Sequence, residues 1–266
     1  MKKFTSEEII KLALKCGASL AGVANIEDLK KAPAYVAISK MPEYNGVGTY
    51  DRDIKGKFSN GVVWPEGIKS VVVLAYYLPT DDPKIDYWFE GHNTIANRKL
   101  VGISKKLANI MYEAEVNTYS FNYHIEDGGI FLKDSAVVAG MGCIGKNNLL
   151  ITPKYGTHVR LGALGLGLDL PSTGRLNYDP CLECEVKCWE KCVQQAFNKK
   201  IYSDIKLGVS ELPGRMGNFD RILCNIQMEK DETNVEPMEI EEISMEGPVK
   251  AIKYCRTCEY ACPVYK

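Results

Sequence analysis

The sequence predicts an α/β (α+β) protein built in two parts, and three observations carry that prediction. Up to about residue 172, apolar runs with helical spacing alternate with short β-prone runs. At Pro171-Ser-Thr-Gly174 the pattern breaks, and the composition shifts to cysteine, lysine and glutamate. Eight of the ten cysteines then fall between Cys181 and Cys262. The expected division is an α/β domain over 1–172 and a small cysteine-rich domain over 173–266.

In the first part, Thr5 and Glu8 form the signature of a helix start, followed by Ile9, Ile10, Leu12, Leu14 and Cys16 up to Gly17. Cys16 reads as a plain buried thiol. Leu20 to Ala24 reads as a strand. Residues 26–66, rich in glycine and proline, read as irregular chain, with Tyr44, Tyr50 and Trp64 as packing or pocket aromatics. Ser70 to Tyr77 is a continuous β-prone run, expected as a strand covered on both faces. Leu100, Ile103, Leu107, Ile110, Met111 and Ala114 predict a helix over about 93–115. Strands are expected at Thr118–His124, Asn148–Thr152 and His158–Leu168, with a short helix over 131–141. Residues 229–246 hold eight acidic residues and one lysine, and are expected as a solvated excursion.

Composition narrows the chemistry. The chain has 266 residues, 45% of them hydrophobic, and a formal net charge of −1. Such a chain can bury a core without disulfide staples, and it shows no basic footprint for nucleic acid. The N-terminal Met1-Lys2-Lys3-Phe4-Thr5-Ser6 has no apolar run behind its basic pair, and no segment approaches the length of a membrane span. The expected compartment is the cytoplasm, with neither membrane nor nucleic acid as partner.

The cysteines leave zinc or iron–sulfur chemistry. A ferredoxin-type run is Cys-x2-Cys-x2-Cys-x3-Cys-Pro, in which the fourth cysteine serves the other cluster. Cys255-x2-Cys258-x3-Cys262-Pro263 fits its end. Cys181-x2-Cys184-x3-Cys188-x3-Cys192 carries one extra residue, and Val193 stands where proline is usual. Cys224 lies alone between them. Crossover then assigns Cys181, Cys184, Cys188 and Cys262 to one [4Fe–4S] cluster, and Cys192, Cys224, Cys255 and Cys258 to a second. A zinc ribbon is the alternative for two Cys-x2-Cys pairs. Eight cysteines exceed a single zinc site.

Ala139-Gly-Met-Gly142-Cys143-Ile-Gly145-Lys146-Asn147 resembles the Ala-Gly-Leu-Gly-Trp-Ile-Gly-Lys-Asn segment of epoxyqueuosine reductases, whose superfamily includes corrinoid reductive dehalogenases. The order of α/β domain, glycine segment, first cysteine motif, lone cysteine and final Cys-Pro motif matches over roughly residues 70–266. The resemblance implies a nitroreductase-like N-terminal domain that binds cobalamin with its lower base detached. It also implies a ferredoxin-like domain whose two clusters reduce the cobalt. Gly142, Cys143, Gly145, Lys146 and Asn147 would then lie at the corrin, or else form a tight turn. None of His92, His124 and His158 sits in an Asp-x-His-x-x-Gly motif, in keeping with an unligated lower face.

The family's proton-donor aspartate maps, counting back without gaps, to Glu126, with Asp127 adjacent and Asp134 nearer the glycine segment. All three are candidate acids, or solvated surface carboxylates. Cys143 replaces the usual tryptophan. The sequence given ends three residues after Pro263, without the helical repeats of the tRNA-binding form. A small-molecule substrate is therefore expected, with a ferredoxin or flavodoxin as electron donor. A ferredoxin-type carrier without corrinoid, and a flavin enzyme, are the rival readings. The flavin reading lacks a phosphate loop between strand and helix.

Overall fold

The computed structural model describes residues 3–40, 61–241 and 247–264. Tyr44 and Tyr50 lie outside them. Helix α1 is Ser6–Lys15. The Thr5 hydroxyl accepts from the Glu8 N–H at 3.2 Å, and the Glu8 carboxylate accepts from the Thr5 N–H at 2.9 Å. Cys16 is buried behind it. Strand β1 is Leu20–Asn25. Residues 26–37, expected to be irregular, instead form helices α2 (Ile26–Leu29) and α3 (Pro33–Ala37). The Asn25 side chain caps the first, and Pro33 opens the second with its fixed φ. Trp64 packs, stacked on Tyr35 at 5.5 Å and edge-on to Phe121 at 6.4 Å.

Strand β2 (Ser70–Tyr77) is followed by a 3-10 turn at Pro83–Asp86 and by the short strand β3 (Trp88–Phe89). Helix α4 is Ile95–Glu113, capped by Thr94, and strand β4 is Thr118–Ser120. β4 is shorter than expected because Asn122 bridges Gly129 and Ile125–Asp127 coils into a 3-10 turn. Helix α5 (Leu132–Val138) leads to the small hairpin of β5 (Cys143–Ile144) and β6 (Leu150–Ile151), then to β7 (Val159–Leu166).

The main sheet has the order β1-β2-β7-β4, antiparallel at every pairing. Alternation along β2 decides the layers. Val72 and Leu74 pack with Ile9 of α1 and with Leu100, Leu107 and Met111 of α4. Val71, Val73 and Ala75 pack on the other face with Leu29, Tyr35, Ala136 and Ala139. Helices cover both faces, which is why the apolar run of β2 is unbroken.

The cysteine-rich third holds α6 (Lys187–Glu190), α7 (Asp204–Leu207) and α8 (Arg221–Glu232). Strands β8 (Glu236–Met238) and β9 (Val249–Ile252) and helix α9 (Thr257–Tyr260) follow. Its sheet has the order β3-β9-β8, so residues 88–89 pair with the last third of the chain. The acidic stretch is therefore not wholly a solvated excursion. β8 joins this sheet, and Ile240 is buried with Leu78, Ile85 and Phe89.

Candidate functional site

Two groups of thiols form around the chain's last helices. Cys181 and Cys262 are buried against Ile151, with Cys143 and Tyr178 alongside. Burial pushes the Cys188 thiol up to about 11, reinforced by its neighbours Cys262, Cys181 and Cys184. Burial likewise pushes Cys258 up to about 12, reinforced by Cys224, Cys255, Glu259 and Cys192. Cys224 is raised by burial too, with Cys192 and Cys255 as further thiol neighbours. Cys188 thus has Cys181, Cys184 and Cys262 as thiol neighbours, and Cys258 has Cys192, Cys224 and Cys255. Among the described residues, no three His, Cys, Asp or Glu side chains stand so as to hold one metal ion. A single tetrahedral zinc would draw its thiolates to within about 3.8 Å of one another. A cubane distributes four thiolates over four irons.

The second group forms one wall of a cavity of about 710 Å³. Trp88, Tyr123, Phe131 and Tyr254 supply aromatic surface, and α5 contributes Lys133 and Asp134. The Lys133 ammonium donates to the Asn148 carbonyl at 2.6 Å, and burial lowers its pKa to about 8. Asp134 accepts from the Ala34 N–H at 3.1 Å, and burial holds its carboxyl above the usual range. Arg160 of β7 donates to Asp86 at 2.5 Å and to the Tyr123 hydroxyl at 2.9 Å. Arg256 lies 3.5 Å from Asp86 and donates to Glu259 at 2.8 Å. His158 lies 3.3 Å from Glu259, and burial lowers its pKa. A chain of charges therefore runs from α9 across to the cavity wall.

The residues expected at the corrin divide. Asn147 lines the cavity, donating to the Cys258 carbonyl at 3.3 Å. Gly142 and Gly145 serve close approach of chain to chain. A Cβ on Gly142 would stand 2.1 Å from the Ile151 carbonyl oxygen, and one on Gly145 would stand 2.5 Å from the Ile151 side chain. Cys143 packs beside Cys181 and Cys262, its thiol pushed up to about 11 chiefly by burial. The Lys146 carbonyl accepts from the Trp189 indole at 2.7 Å.

Among the candidate acids, Asp134 is buried in α5 and lines the cavity, not the solvated surface offered as its alternative. Asp127 is exposed, and its carbonyl accepts from the Asn122 amide at 2.5 Å. The Glu126 side chain lies outside the described residues. Sequence reasoning gave no role to Lys133, Asp86, Arg160, Arg221, Arg256 and Glu259, which also line the cavity. For Lys133 a signal existed, since it adjoins Asp134 on a short helix. Asp86 and Arg160 are 74 residues apart, and nothing in the local pattern joins them.

Comparison with known proteins places this geometry. No protein-family model matches the chain. It is 26% identical over 190 residues to the epoxyqueuosine reductase of Pseudomonas aeruginosa, which covers 68% of this chain and 52% of that one. The epoxyqueuosine reductase of Synechocystis is 32% identical over 133 residues, 47% of this chain and 44% of that one. The chain thus spans about half the length of the curated relatives it matches. A crystal structure of an epoxyqueuosine reductase with an epoxyqueuosine-modified tRNA stem loop shares the fold, with a TM-score of 0.57 and 18% identity. That likeness covers 97% of this chain and 64% of the other. Among the described residues no helix is long and apolar enough to cross a membrane. The α+β body, the glycine segment and the order of the cysteines agree with these matches, and the chain is similar to epoxyqueuosine reductases in sequence over about two thirds of its length and in fold over 97% of it.

Proposed function

We propose that the chain is a cytoplasmic iron–sulfur oxidoreductase of the epoxyqueuosine reductase kind. One [4Fe–4S] cluster is held by Cys181, Cys184, Cys188 and Cys262, and a second by Cys192, Cys224, Cys255 and Cys258. Residues 173–266 form the cluster domain, and residues 1–172 share with it the lining of a pocket for cobalamin. The observation that carries this reading is the shared wall. The second thiol group faces the same cavity as Asp134, Asn147 and the aromatic rings.

The residues present fit both groups. Eight thiols in two sets of four are the donor set of two cubanes. Aromatic faces with the Asn147 and Asn148 amides suit a flat macrocycle that carries amide side chains. When bound, the clusters supply single electrons, and the corrinoid supplies a strongly reducing cobalt. The chain's own part is to exclude water with Trp88, Phe131 and Tyr254, and to hold a proton. Asp134 is suited to that second task, because burial favours its neutral carboxyl. The substrate is a small molecule and not a tRNA, a reading supported by the net charge of −1. A ferredoxin or flavodoxin supplies the electrons.

Anaerobic reconstitution tests this reading. About eight irons per chain are expected from two cubanes, and added cobalamin should bind with a base-off spectrum. Full iron without corrinoid binding would leave a ferredoxin-type carrier. Zinc with little iron would overturn the reading altogether.

A further inference from the structure

We propose that Lys133 and Arg221 set the two clusters at different reduction potentials, holding the one beside the cavity above the other. The inference rests on the iron–sulfur reading and adds an order to it. Lys133 on α5 and Arg221, the first residue of α8, line the same cavity as Cys192, Cys224, Cys255 and Cys258. Arg221 precedes Cys224 by three residues, so both project from one helix face. Its Nε is buried without a hydrogen-bond partner among the described residues. The acceptor of Lys133 is the neutral carbonyl of Asn148. The neighbouring Asp134 is turned to the Ala34 N–H, and burial favours its uncharged form. Among the described residues neither cation makes a salt bridge, although Asp134 attracts Lys133, and both act on the charge of Cys224.

Three other cations near the thiols are compensated. Arg256 is bound by Glu259 and Asp86. Arg215, beside Cys181, is paired with Asp179. Lys187 is exposed and lies 3.4 Å from Glu185. Carboxylates also work against the asymmetry: Glu259, paired with Arg256, bears on Cys258, Glu232 lines the cavity, and Asp231 accepts from the Cys255 N–H at 2.8 Å, in an exposed setting where water screens it. Net charge around a cluster sets its potential. Reduction adds a negative charge, which an uncompensated cation favours.

The test is potentiometric titration of the reconstituted holoprotein, followed by electron paramagnetic resonance. In Lys133→Met and Arg221→Met, one midpoint should fall and the other stay in place. The midpoint that falls should belong to the signal altered in Cys224→Ser. Lys133→Arg should keep the native value, which separates charge from packing. Full iron with both midpoints unmoved in both variants would overturn the proposal alone. An iron-free, zinc-bound chain would overturn the iron–sulfur reading and this inference with it.

Discussion

In the sheet-bearing body, Val72 and Leu74 meet Leu107 and Met111 on one face, and Val71 and Val73 meet Leu29 on the other, all fully buried. Among the described residues, the cysteine lobe has no comparable interior of its own. Its apolar contacts are small groups, such as Cys181 and Cys262 on Ile151, and Phe197 stacked on Trp189 at 5.9 Å. Apolar clusters at the seam, Ile240 and Ala251 on Leu78 and Phe89, and Tyr202 and Leu207 on Ala37 and Ile38, fasten it to the body together with polar links. The Trp189 indole donates to the Lys146 carbonyl at 2.7 Å, and the Thr157 hydroxyl donates to the Glu259 carbonyl at 3.3 Å. Asp86 stands between Arg160 of the sheet and Arg256 of the last cysteine motif. The body is stabilised by apolar burial, which scales with area. The lobe depends on particular contacts, so single substitutions should separate the two regions.

Asp86→Asn should have the largest effect. Asp86 has 5% of its side chain exposed, against 21% for Arg160 and 12% for Arg256. Removing its charge leaves Arg160 without its carboxylate partner and Arg256 with Glu259 alone, and breaking a buried pair costs roughly 3–5 kcal/mol. Partial exposure of the arginines places the expected loss near the lower end. Hydrogen exchange should quicken in β9 and α9 while the amides of β2 keep their protection. Equal acceleration in β2 would show that the two regions unfold as one and sink the comparison.

Gly142→Ala should come next. The added Cβ would meet the Ile151 backbone oxygen, which cannot move aside as a flexible side chain would. Overpacking of this kind costs about 1–3 kcal/mol. Because Ile151 backs Cys181 and Cys262, the cluster they are proposed to hold should be lost at a lower temperature than in the native protein. Thermal bleaching of the cluster absorbance reads this directly. A wild-type bleaching curve would place the strain elsewhere.

What the sequence made legible follows the same division. The capping box at Thr5, the period of α4 and the unbroken run of β2 are local consequences of burial, and each appears where its pattern lies. α2 and α3 were missed because a glycine- and proline-rich window hides two four- to five-residue helices, each set by a single cap or proline. The similarity to epoxyqueuosine reductases was legible in the glycine segment, but the contacts of its glycines were not. Gly142 and Gly145 look like ligand-cradling residues by type, and only β6 folded back on them shows what they meet. Asp134 was visible as a carboxylate on a helix. Its burial required α3 to bring the Ala34 N–H within 3.1 Å, across 100 residues of sequence.

Asp134→Asn should have the smallest effect on stability, and its sign is set by linkage. Burial raises the folded-state pKa of Asp134 above the usual carboxylate range, the amide of Ala34 and the charge of Lys133 opposing only in part. The native state therefore binds the proton more tightly than the unfolded chain does. This contribution to stability is fully present below the unfolded value, declines as pH rises from there through the folded value, and is level above it. An asparagine keeps an oxygen for the Ala34 N–H and carries no proton to lose. The variant should unfold like the native protein in acid and be the more stable of the two at neutral pH. Thermal unfolding from acid to neutral pH measures the difference. A variant less stable at neutral pH would mean that the ionised carboxylate is held by its cationic neighbours, in which case Asp134 belongs to the polar fastening of the lobe and not to the store of protons in the cavity.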